Sequence, residues 1–398
     1  MLNLVTAKAV KFRSNKEYKK GLVLQTKHYK SQFHLPAGIY ALAHSVGPLP
    51  KISKLALQEY YLTPWEQLGG DAWPKWLQSI DAFCTAIAHL INASANEICP
   101  QPNLASGFSA YLTAIAKLSE NQGKSHILMH QDAFASMGFV VSGLAKTYGL
   151  ELILVQGNPN DFDAWTTELA KGDVLACLFT HVHSNTSMKS DIVRLVELAK
   201  EHDTYALVDI AQSVGIVPVD ARQWGADAIF GSCVKSLCGR PGDGFMFIEA
   251  AQIAKLNPDP VGWFSHQNPF EFDITHYAAA NNARRFWGGT PNVASYVAAC
   301  ASINMMLDIG VAQVARHNVE LKRYLLQCLP SNVTIKTSED QLYHQGGSLC
   351  IGCDDMDTAA IKLNEAGVRY DRRDDIFRLS LHISNSLDDA EKIAGCFV

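Results

Sequence analysis

The stretch that decides the fold runs from residue 208 to residue 248 and reads VDIAQSVGIVPVDARQWGADAIFGSCVKSLCGRPGDGFMFI. It contains the end of one short apolar run, at Asp209, and two further runs, DAIFGS (227–232) and GFMFI (244–248). Runs of this length, bounded by glycine, proline and polar residues, are typical of buried β-strands. The stretch therefore predicts part of a sheet.

The same pattern continues towards the amino terminus, with the apolar runs HILMH (126–130), ELILV (151–155), VLACLFTHV (174–182) and TYALVDI (204–210). Longer segments of helical period separate them. One of these, SDIVRLVELAKEHD, begins at a Ser/Asp cap and places Ile192, Leu195, Val196 and Ala199 on one face. The alternation predicts an α/β fold, in which helices cover both faces of a mainly parallel sheet.

The pattern changes near residue 295. A long helical stretch (295–329) is followed by strand-like pieces, VTIKT, GSLCIGC and IFRLSLHI, around the helical DTAAIKLNEAGV. This predicts a smaller α+β domain. We expect an amino-terminal arm (1–45) that packs on the small domain or on a partner subunit, a large α/β domain (46–294) and a small domain (295–398).

Composition narrows the functional classes. A net charge of −5 and a pI near 6.3 provide no basic footprint for nucleic acid. Ten scattered cysteines, several inside apolar runs, are typical of reduced thiols and predict a cytoplasmic protein. Cys350 and Cys353 form a CxxC without a second ligand pair, so we expect no metal site. We find neither a signal-peptide core nor a membrane-length apolar run, so we expect no export and no membrane insertion.

Asp209 and Lys235 are the residues most indicative of chemistry. Ligands of open parallel sheets bind beyond the carboxyl ends of the strands, and Asp209 ends one apolar run. Lys235 follows 26 residues later, between DAIFGSCV and the glycine-rich LCGRPGDG. The pair suits pyridoxal phosphate, since a lysine forms the Schiff base and a carboxylate keeps the pyridine nitrogen protonated. A strand-end cap and a solvated lysine are the alternatives.

The whole segment resembles the fold-type I pyridoxal phosphate enzymes of the class V aminotransferase superfamily, and its kynureninase-like members in particular. The family pattern Asp-x-Ala-His/Gln-Ser-x-Gly, Val-Pro-Val-Asp, Gly-Ala-Asp and Lys is present at 209–215, 217–220, 225–227 and 235. YALAHSVGPLP (40–50), VGWFSH (261–266) and FWGGTPN (286–292) resemble further family segments in the same order. The resemblance extends over residues 35–398.

The resemblance implies a cofactor site in a homodimer whose active sites lie at the interface. It assigns Lys235 to the Schiff base, Asp209 to the pyridine nitrogen and Phe134 to stacking on the ring. The remaining cofactor contacts that it implies are Ser106, Gly107 and Trp263 at the phosphate, Thr290 at the phosphate across the interface, and Gln212 at the phenolic oxygen. The segment of His183, Ser184 and Asn185 also approaches that oxygen in relatives, with a register that the sequence leaves open.

Arg378 is the predicted substrate-binding residue. It lies in an otherwise apolar strand pattern, where an arginine is costly to bury unless it is paired. A water-facing arginine on an edge strand is the alternative. The resemblance implies that Arg378 binds the carboxylate of a small amino-acid substrate. Candidates for contacts with the rest of the substrate are His44, Ser45, His266 and Arg285.

The reaction stays open between a kynureninase-like hydrolase or lyase and a class V aminotransferase or β-lyase on another amino acid. Three positions depart from kynureninases: Val234 replaces a tyrosine, Gln212 a histidine and Met137 an acidic residue. A cysteine desulfurase is disfavoured because the segment before Arg378, GVRYDRRDDIFR, contains no cysteine. A pyridoxal-phosphate-fold module without catalysis is the alternative from another class.

Overall fold

The computed structural model describes residues 26–118, 121, 123–336, 342 and 345–398. The prediction of an amino-terminal arm therefore falls partly outside the described residues, since residues 1–25 are not among them. The remainder of the predicted arm begins with a one-turn helix and two short strands.

A seven-stranded sheet in the described residues forms the centre of the fold, with the strand order β4-β10-β9-β8-β7-β5-β6. Its strands are β4 (Ile98–Gln101), β5 (His126–His130), β6 (Glu151–Val155), β7 (Val174–Thr180), β8 (Tyr205–Asp209), β9 (Ala228–Ser232) and β10 (Gly244–Ile248). Strands β5 to β9 are parallel to one another, which confirms the predicted α/β fold with a mainly parallel sheet.

The strand formed by GFMFI departs from the predicted parallel pattern, because β10 runs antiparallel to both β9 and β4. Parallel neighbours need a crossover of a dozen or more residues, which is usually a helix. Only residues 233–243 connect β9 to β10, and they contain no helix. The chain therefore turns back beside β9, and the turn is the loop that carries Lys235.

The smaller sheet has the order β11-β12-β15-β14 and is antiparallel. Its strands are β11 (Val333–Ile335), β12 (Leu349–Cys353), β14 (Asp371–Arg373) and β15 (Ile376–Leu379). Two further pairs involve the amino-terminal segment: β1 (Phe33–His34) pairs with β3 (Leu49–Pro50), and β2 (Ile39–Tyr40) pairs with β13 (Val368–Arg369). The β2–β13 pair therefore joins the amino-terminal segment to the carboxy-terminal one.

The helices cover the sheets. They are α1 (Thr26–Lys30), α2 (Lys51–Ala56), α3 (Thr63–Leu68), α4 (Trp73–Leu90), α5 (Leu104–Ala116), α6 (Ala135–Tyr148), α7 (Phe162–Leu169), α8 (Ile192–Glu201), α9 (Ala221–Trp224), α10 (Ala250–Lys255), α11 (Val293–Ile309), α12 (Val311–Cys328), α13 (Met356–Glu365) and α14 (Leu387–Ala394), with a π-helical turn at Leu57–Leu62. Helix α8 begins after Asp191, whose side chain accepts the N–H of Arg194, and its four predicted face residues are buried.

The predicted long helical stretch at 295–329 is helical but consists of two helices, because Gly310 separates α11 from α12. Gly310 has a φ of +85°, which a glycine adopts at little cost and which ends the helical hydrogen-bond pattern. The two helices bend by 78° at this break. Within the described residues no single helix is long and apolar enough to cross a membrane; α11 and α12 reach that length and composition only as this bent pair.

Two hydrophobic cores organise the described chain. The first lies between the seven-stranded sheet and its helices, and it includes most of α11. The second lies under the smaller sheet against α12, α13 and α14, and it also takes in Ile39 and Ala41 of the amino-terminal segment. The domain boundaries at 45/46 and 294/295 stay predictions.

Candidate active site

A cavity of about 250 Å³ lies at the carboxyl ends of the central strands. Thr180 ends β7, Asp209 ends β8 and Ser232 ends β9, so the sheet delivers three polar side chains to one edge. The cavity is lined by Asn103, Leu104, Ala105, Phe134, Ser136, Met137, Thr180, Val182, Ser184, Asp209, Ala211, Gln212, Ser232 and Lys235. Four of the sequence-predicted cofactor residues, Phe134, Asp209, Gln212 and Lys235, are therefore brought together.

Asp209 is a buried carboxylate on the floor of this cavity, 5% exposed. Its Oδ1 accepts the backbone N–H of Ala211 at 2.8 Å. Burial raises the pKa of Asp209, while the hydrogen bond from Ala211 and the charge of Lys235 act in the opposite direction. A buried carboxylate is stabilised in its charged form when a cationic partner binds beside it.

Lys235 projects into the cavity from the loop between β9 and β10. Its Nζ lies 5.7 Å from the centroid of the Phe134 ring, and it makes no hydrogen bond or salt bridge within the part of the chain that the structure describes. Burial lowers the pKa of Lys235, Asp209 raises it, and Arg378 and Arg373 lower it further. A lowered pKa increases the fraction of neutral, nucleophilic amine.

Contacts from both ends of the chain hold the lysine loop. The N–H of Gly47 donates to the carbonyl oxygen of Val234 at 2.7 Å. His382 donates its Nε2–H to the carbonyl oxygen of Ser236 at 3.0 Å. Within the loop, the N–H of Cys238 donates to the carbonyl oxygen of Lys235 at 2.8 Å. Hydrogen bonds from two segments distant in sequence, one from the backbone of Gly47 and one from the side chain of His382, therefore hold the backbone on either side of Lys235.

The amino end of α5 supplies another wall. Asn103 caps the helix, and its Oδ1 accepts both the N–H of Ser106 at 2.9 Å and the hydroxyl of Ser106 at 3.1 Å. Ser106 and Gly107 are not among the lining residues. Gly107 faces the sheet, where a Cβ would lie 3.1 Å from Sδ of Met246. This part of the cavity wall is made by Asn103 and the first two residues of α5, Leu104 and Ala105, and the amino end of a helix favours anions.

The side chains of residues 183–185 lie in different surroundings. Ser184 lines the cavity. His183 is buried on the other side, with its Nε2 3.3 Å from Oγ of Ser190, and the Oδ1 of Asn185 accepts a hydrogen bond from Arg373. Of the three, Ser184 is therefore the one placed to touch a ligand in the cavity.

Arg378 is buried next to this cavity and paired with Asp371. Its Nε donates to Oδ2 of Asp371 at 2.6 Å, Nη2 contacts the same oxygen, and Nη1 donates to the carbonyl oxygen of Ser184 at 3.1 Å. Burial lowers the pKa of Arg378 and Asp371 opposes that shift. The alternative of a water-facing arginine does not apply, since Arg378 is 3% exposed.

His44 lies beside this pair, with its Nε2 3.9 Å from Oδ2 of Asp371. Neither of its ring nitrogens has a hydrogen-bond partner among the described residues. Burial, reinforced by Arg378, lowers the pKa of His44 to about 3, so the ring is neutral at pH 7. Its neighbour Ser45 is exposed to solvent. Of these two candidates for substrate contact, His44 is the one buried near Arg378.

The remaining candidates lie away from the wall of this cavity. Nε1 of Trp263 donates to the hydroxyl of Thr290 at 3.2 Å, and Trp263 packs among other aromatic rings. Nδ1 of His266 accepts the N–H of Asn268. Arg285 donates to the carbonyl oxygens of Ala280, Ala254 and Leu256.

Several polar residues at the site were not predicted from the sequence, and Thr180 and Asp371 are the two with the clearest consequences. Thr180 lines the cavity, and its buried Oγ1 has no hydrogen-bond partner among the described residues. The strand-end rule that singled out Asp209 applies equally to Thr180, so the signal was present. Asp371 lies in the charged run DRRDD, which is typical of a solvated turn, and no sequence signal marks it.

Comparisons with known proteins identify the family to which this fold belongs. The family model Aminotransferase class-V matches residues 74–369, which is more than half of the chain. An uncharacterized aminotransferase, YcbU, of Bacillus subtilis (strain 168) is 25% identical over 334 residues, covering 84% of this chain and 86% of that protein. A kynureninase of Deinococcus radiodurans is 28% identical over 304 residues, covering 74% and 72%.

Solved structures show the same fold. A variant of C-DES with glycine covalently linked to its pyridoxal phosphate cofactor superposes with a TM-score of 0.82 at 19% identity, covering 92% of this chain and 98% of that one. The matched family, the seven-stranded sheet and the lysine cavity at its carboxyl edge lead to one assignment. The chain belongs to the class V aminotransferase family, and it is an enzyme of the fold-type I group whose cofactor is pyridoxal phosphate.

Proposed function

We propose that this enzyme binds pyridoxal phosphate through Lys235 and acts on a small α-amino acid, with kynureninase-like hydrolysis as the reaction. One observation carries the proposal: the Lys235 amine, the Phe134 ring, the Asp209 carboxylate and the amino end of α5 surround a single cavity. Each of these groups has a complementary part in the cofactor.

The fit can be followed group by group. The amino end of α5 suits the phosphate, Phe134 suits one face of the pyridine ring and Asp209 suits the protonated ring nitrogen. The unpartnered hydroxyl of Thr180 and the side chain of Gln212 are available as further polar contacts. Burying the ionised carboxylate of Asp209 costs free energy, and a pyridinium beside it would offset that cost.

The chemistry of the bound cofactor is to withdraw electrons from the α-carbon of an amino acid. The protein has to bind the substrate, hold its carboxylate and move protons. The Lys235 amine, with its lowered pKa, is suited to take the α-proton and to return it to another carbon. Arg378 is suited to hold the carboxylate, and its burial excludes water that would weaken the interaction.

Kynureninase relatives support hydrolysis as the final step, and the kynureninase of Deinococcus radiodurans matches over 74% of the chain. A second candidate is transamination or β-elimination on another amino acid. Val234 favours this alternative, because it removes the tyrosine hydroxyl that kynureninases present next to the Schiff-base lysine. Met137 is a second specific observation for it, since this buried apolar side chain lines the cavity where kynureninases have an acidic residue.

The deciding experiment incubates the holoenzyme with L-kynurenine, 3-hydroxykynurenine and a panel of other amino acids, and identifies the products by mass spectrometry. Hydrolysis of kynurenine yields alanine and anthranilate, whereas transamination yields a keto acid with the carbon skeleton intact. Turnover of other amino acids without cleavage of either kynurenine would reject the hydrolase and support the second candidate.

The alternative of an inert binding module makes a different prediction. Borohydride reduction should attach the cofactor to Lys235, and a peptide map should locate the label there. Lys235→Ala is the control, which should bind the cofactor without covalent fixation. A colourless protein that takes up no cofactor would support the inert module and exclude all the enzymatic candidates.

We further propose a homodimer in the cytoplasm. Thr290 lies outside the cavity wall of its own chain, which supports the expectation that it serves the cavity of a partner subunit. The ten cysteines are free, in keeping with a reducing compartment. Mixing Lys235→Ala with Thr290→Ala protein tests the shared site: activity should reappear in hybrid dimers, and a monomer in solution would contradict the proposal.

A further inference from the structure

Asp371 and Arg378 are paired by the register of the smaller sheet. Strands β14 and β15 are antiparallel, and these two residues are directly opposite each other. A left-handed residue, Asp374, with a φ of +47°, lies between the two strands. Because register fixes both Cα positions, the ion pair is built into the sheet and does not depend on the chance meeting of two flexible side chains.

The pair uses one edge of the guanidinium. Nε and Nη2 both point to Oδ2 of Asp371, while Nη1 points to the carbonyl oxygen of Ser184. Ser184 lies on the cavity wall, so Nη1 marks the end of the guanidinium nearest the cavity. Arginine has five N–H donors, and these contacts account for three of them. The two that remain are on the terminal nitrogens, Nη1 and Nη2.

The charged side chains around Asp371 do not neutralise one another. Arg373 also contacts the carboxylate of Asp371, with its Nε 3.6 Å from Oδ2. The nearby ring of His44 is neutral, because its pKa is lowered to about 3. Two arginines and one aspartate therefore carry a net charge of +1 next to the cavity. A single carboxylate would neutralise that charge, whereas Asp371 alone neutralises only one of the two arginines.

We propose that Asp371 is the positioning residue of the substrate-carboxylate site: it holds Arg378 by the Nε–Nη2 edge and leaves the terminal nitrogens to the carboxylate of a monocarboxylic α-amino acid. The inference rests on the proposed function, since it assigns Arg378 to the substrate. It differs from a blocking role, in which Asp371 would occupy the arginine until a substrate displaced it.

The test uses holoenzyme of the wild type, Asp371→Asn, Asp371→Glu and Asp375→Asn. Asp375 is the matched control, because it is an exposed carboxylate on the same hairpin, 3.2 Å from Lys336. L-Alanine and ethylamine, which differ by the carboxylate, are titrated into each protein, and the change in cofactor absorbance yields a dissociation constant. KM and kcat are measured with whichever amino acid the panel above identifies.

Asp371→Asn should weaken L-alanine binding and raise KM roughly tenfold, because the charge-assisted contact that orients Arg378 is lost. Ethylamine binding and kcat should stay within about twofold, Asp371→Glu should restore part of the loss, and Asp375→Asn should behave as wild type. Tighter L-alanine binding in Asp371→Asn would establish the blocking role instead. Equal weakening of both compounds would show a merely structural role and would also overturn the proposal.

Failure of the proposed function has a separate signature. A wild-type protein whose cofactor absorbance responds to no amino acid would reject that function. In that case, binding of the carboxylate can still be measured by comparing thermal unfolding in the presence of L-alanine with thermal unfolding in the presence of ethylamine. Ligands that bind the folded state raise its Tm. A stabilisation by L-alanine alone that Asp371→Asn removes would support the positioning role, and its absence in the wild type would overturn it.

Discussion

The backbone of Gly47 packs in close contact with the backbone of Lys235. The N–H of Gly47 donates to the carbonyl oxygen of Val234, and a Cβ on Gly47 would lie 2.2 Å from the carbonyl oxygen of Lys235. No side chain fits at that distance. The amino-terminal segment that carries His44 and the loop that carries the lysine therefore form one unit, although almost two hundred residues separate them.

Gly47→Ala should lower both Tm and activity, because either the amino-terminal segment or the lysine loop has to shift. We expect a cost of about 1–3 kcal/mol, typical of overpacking a tight site. Gly143→Ala is the control, since Gly143 lies within α6 with no atom near its Cβ position, and alanine there should stabilise the helix by up to about 1 kcal/mol. Thermal unfolding monitored by circular dichroism compares the two, and equal effects would contradict the close approach.

Phe134→Ala should weaken cofactor binding about tenfold while Tm of the cofactor-free protein changes little. The ring is 46% exposed, so its removal leaves no cavity in the core, whereas stacking on a bound ring contributes about 1 kcal/mol. Phe139→Ala is the matched control, because Phe139 is an exposed ring within α6, the helix that begins directly after Phe134. Equilibrium titration with pyridoxal phosphate measures the difference. Equal losses in the two variants would argue against a stacking role for Phe134.

Asp209→Asn should reduce activity about 10²–10³-fold without destabilising the cofactor-free protein. Burial raises the pKa of Asp209, so the folded state holds this proton more firmly than the unfolded state, and stability falls as pH rises through the folded pKa. Asparagine removes the buried charge and keeps an acceptor for Ala211. Differential scanning calorimetry at pH 7 should find Tm unchanged or higher. A clear fall in Tm would mean that Asp209 is needed mainly for the fold.

Asp209→Asn should also make Lys235 easier to deprotonate, because the carboxylate raises the pKa of the amine. The pH midpoint for covalent uptake of pyridoxal phosphate by the cofactor-free protein should therefore move to lower pH. The midpoint is read from borohydride-fixed label over a pH series. A shift in the other direction would contradict the electrostatic coupling between the two residues.

Acid should destabilise the protein from about pH 6.5 downwards. Burial lowers the pKa of His44 and His181 to about 3, and that of His183, His317 and His382 to about 4. The unfolded state takes up protons at these residues first, so each contributes on the order of 1 kcal/mol of lost stability per pH unit in this window. Tm measured between pH 7 and pH 4 should fall steeply.

His382→Gln should flatten that acid dependence, because glutamine does not titrate and can still donate to the carbonyl oxygen of Ser236. His34→Gln, at an exposed position in β1, is the control and should leave the slope unchanged. An identical slope in both variants would show that other groups govern the acid transition.

Local periodicity was sufficient to predict most of the central sheet. The runs at 126–130, 151–155 and 244–248 match strands β5, β6 and β10 residue for residue. Strands β5 and β10 are buried almost throughout and leave a continuous apolar signal, whereas β6 is a partly exposed edge strand that is nevertheless apolar in sequence. The direction of β10 and the short β4 were not predictable in this way. The strand β4, Ile-Cys-Pro-Gln, is only four residues long, and direction depends on how the chain turns between strands.

The sequence by itself determined the α/β class and the Asp209–Lys235 pair, because strand ends and loop residues are local properties of the chain. Only the tertiary structure decided that Ser184 faces the cavity, that Gly47 supports the lysine loop and that Arg378 has Asp371 as its partner. Each of these depends on where two distant segments meet. That meeting is governed by sheet register and by packing between the two cores, for which no local pattern of residues carries a signal.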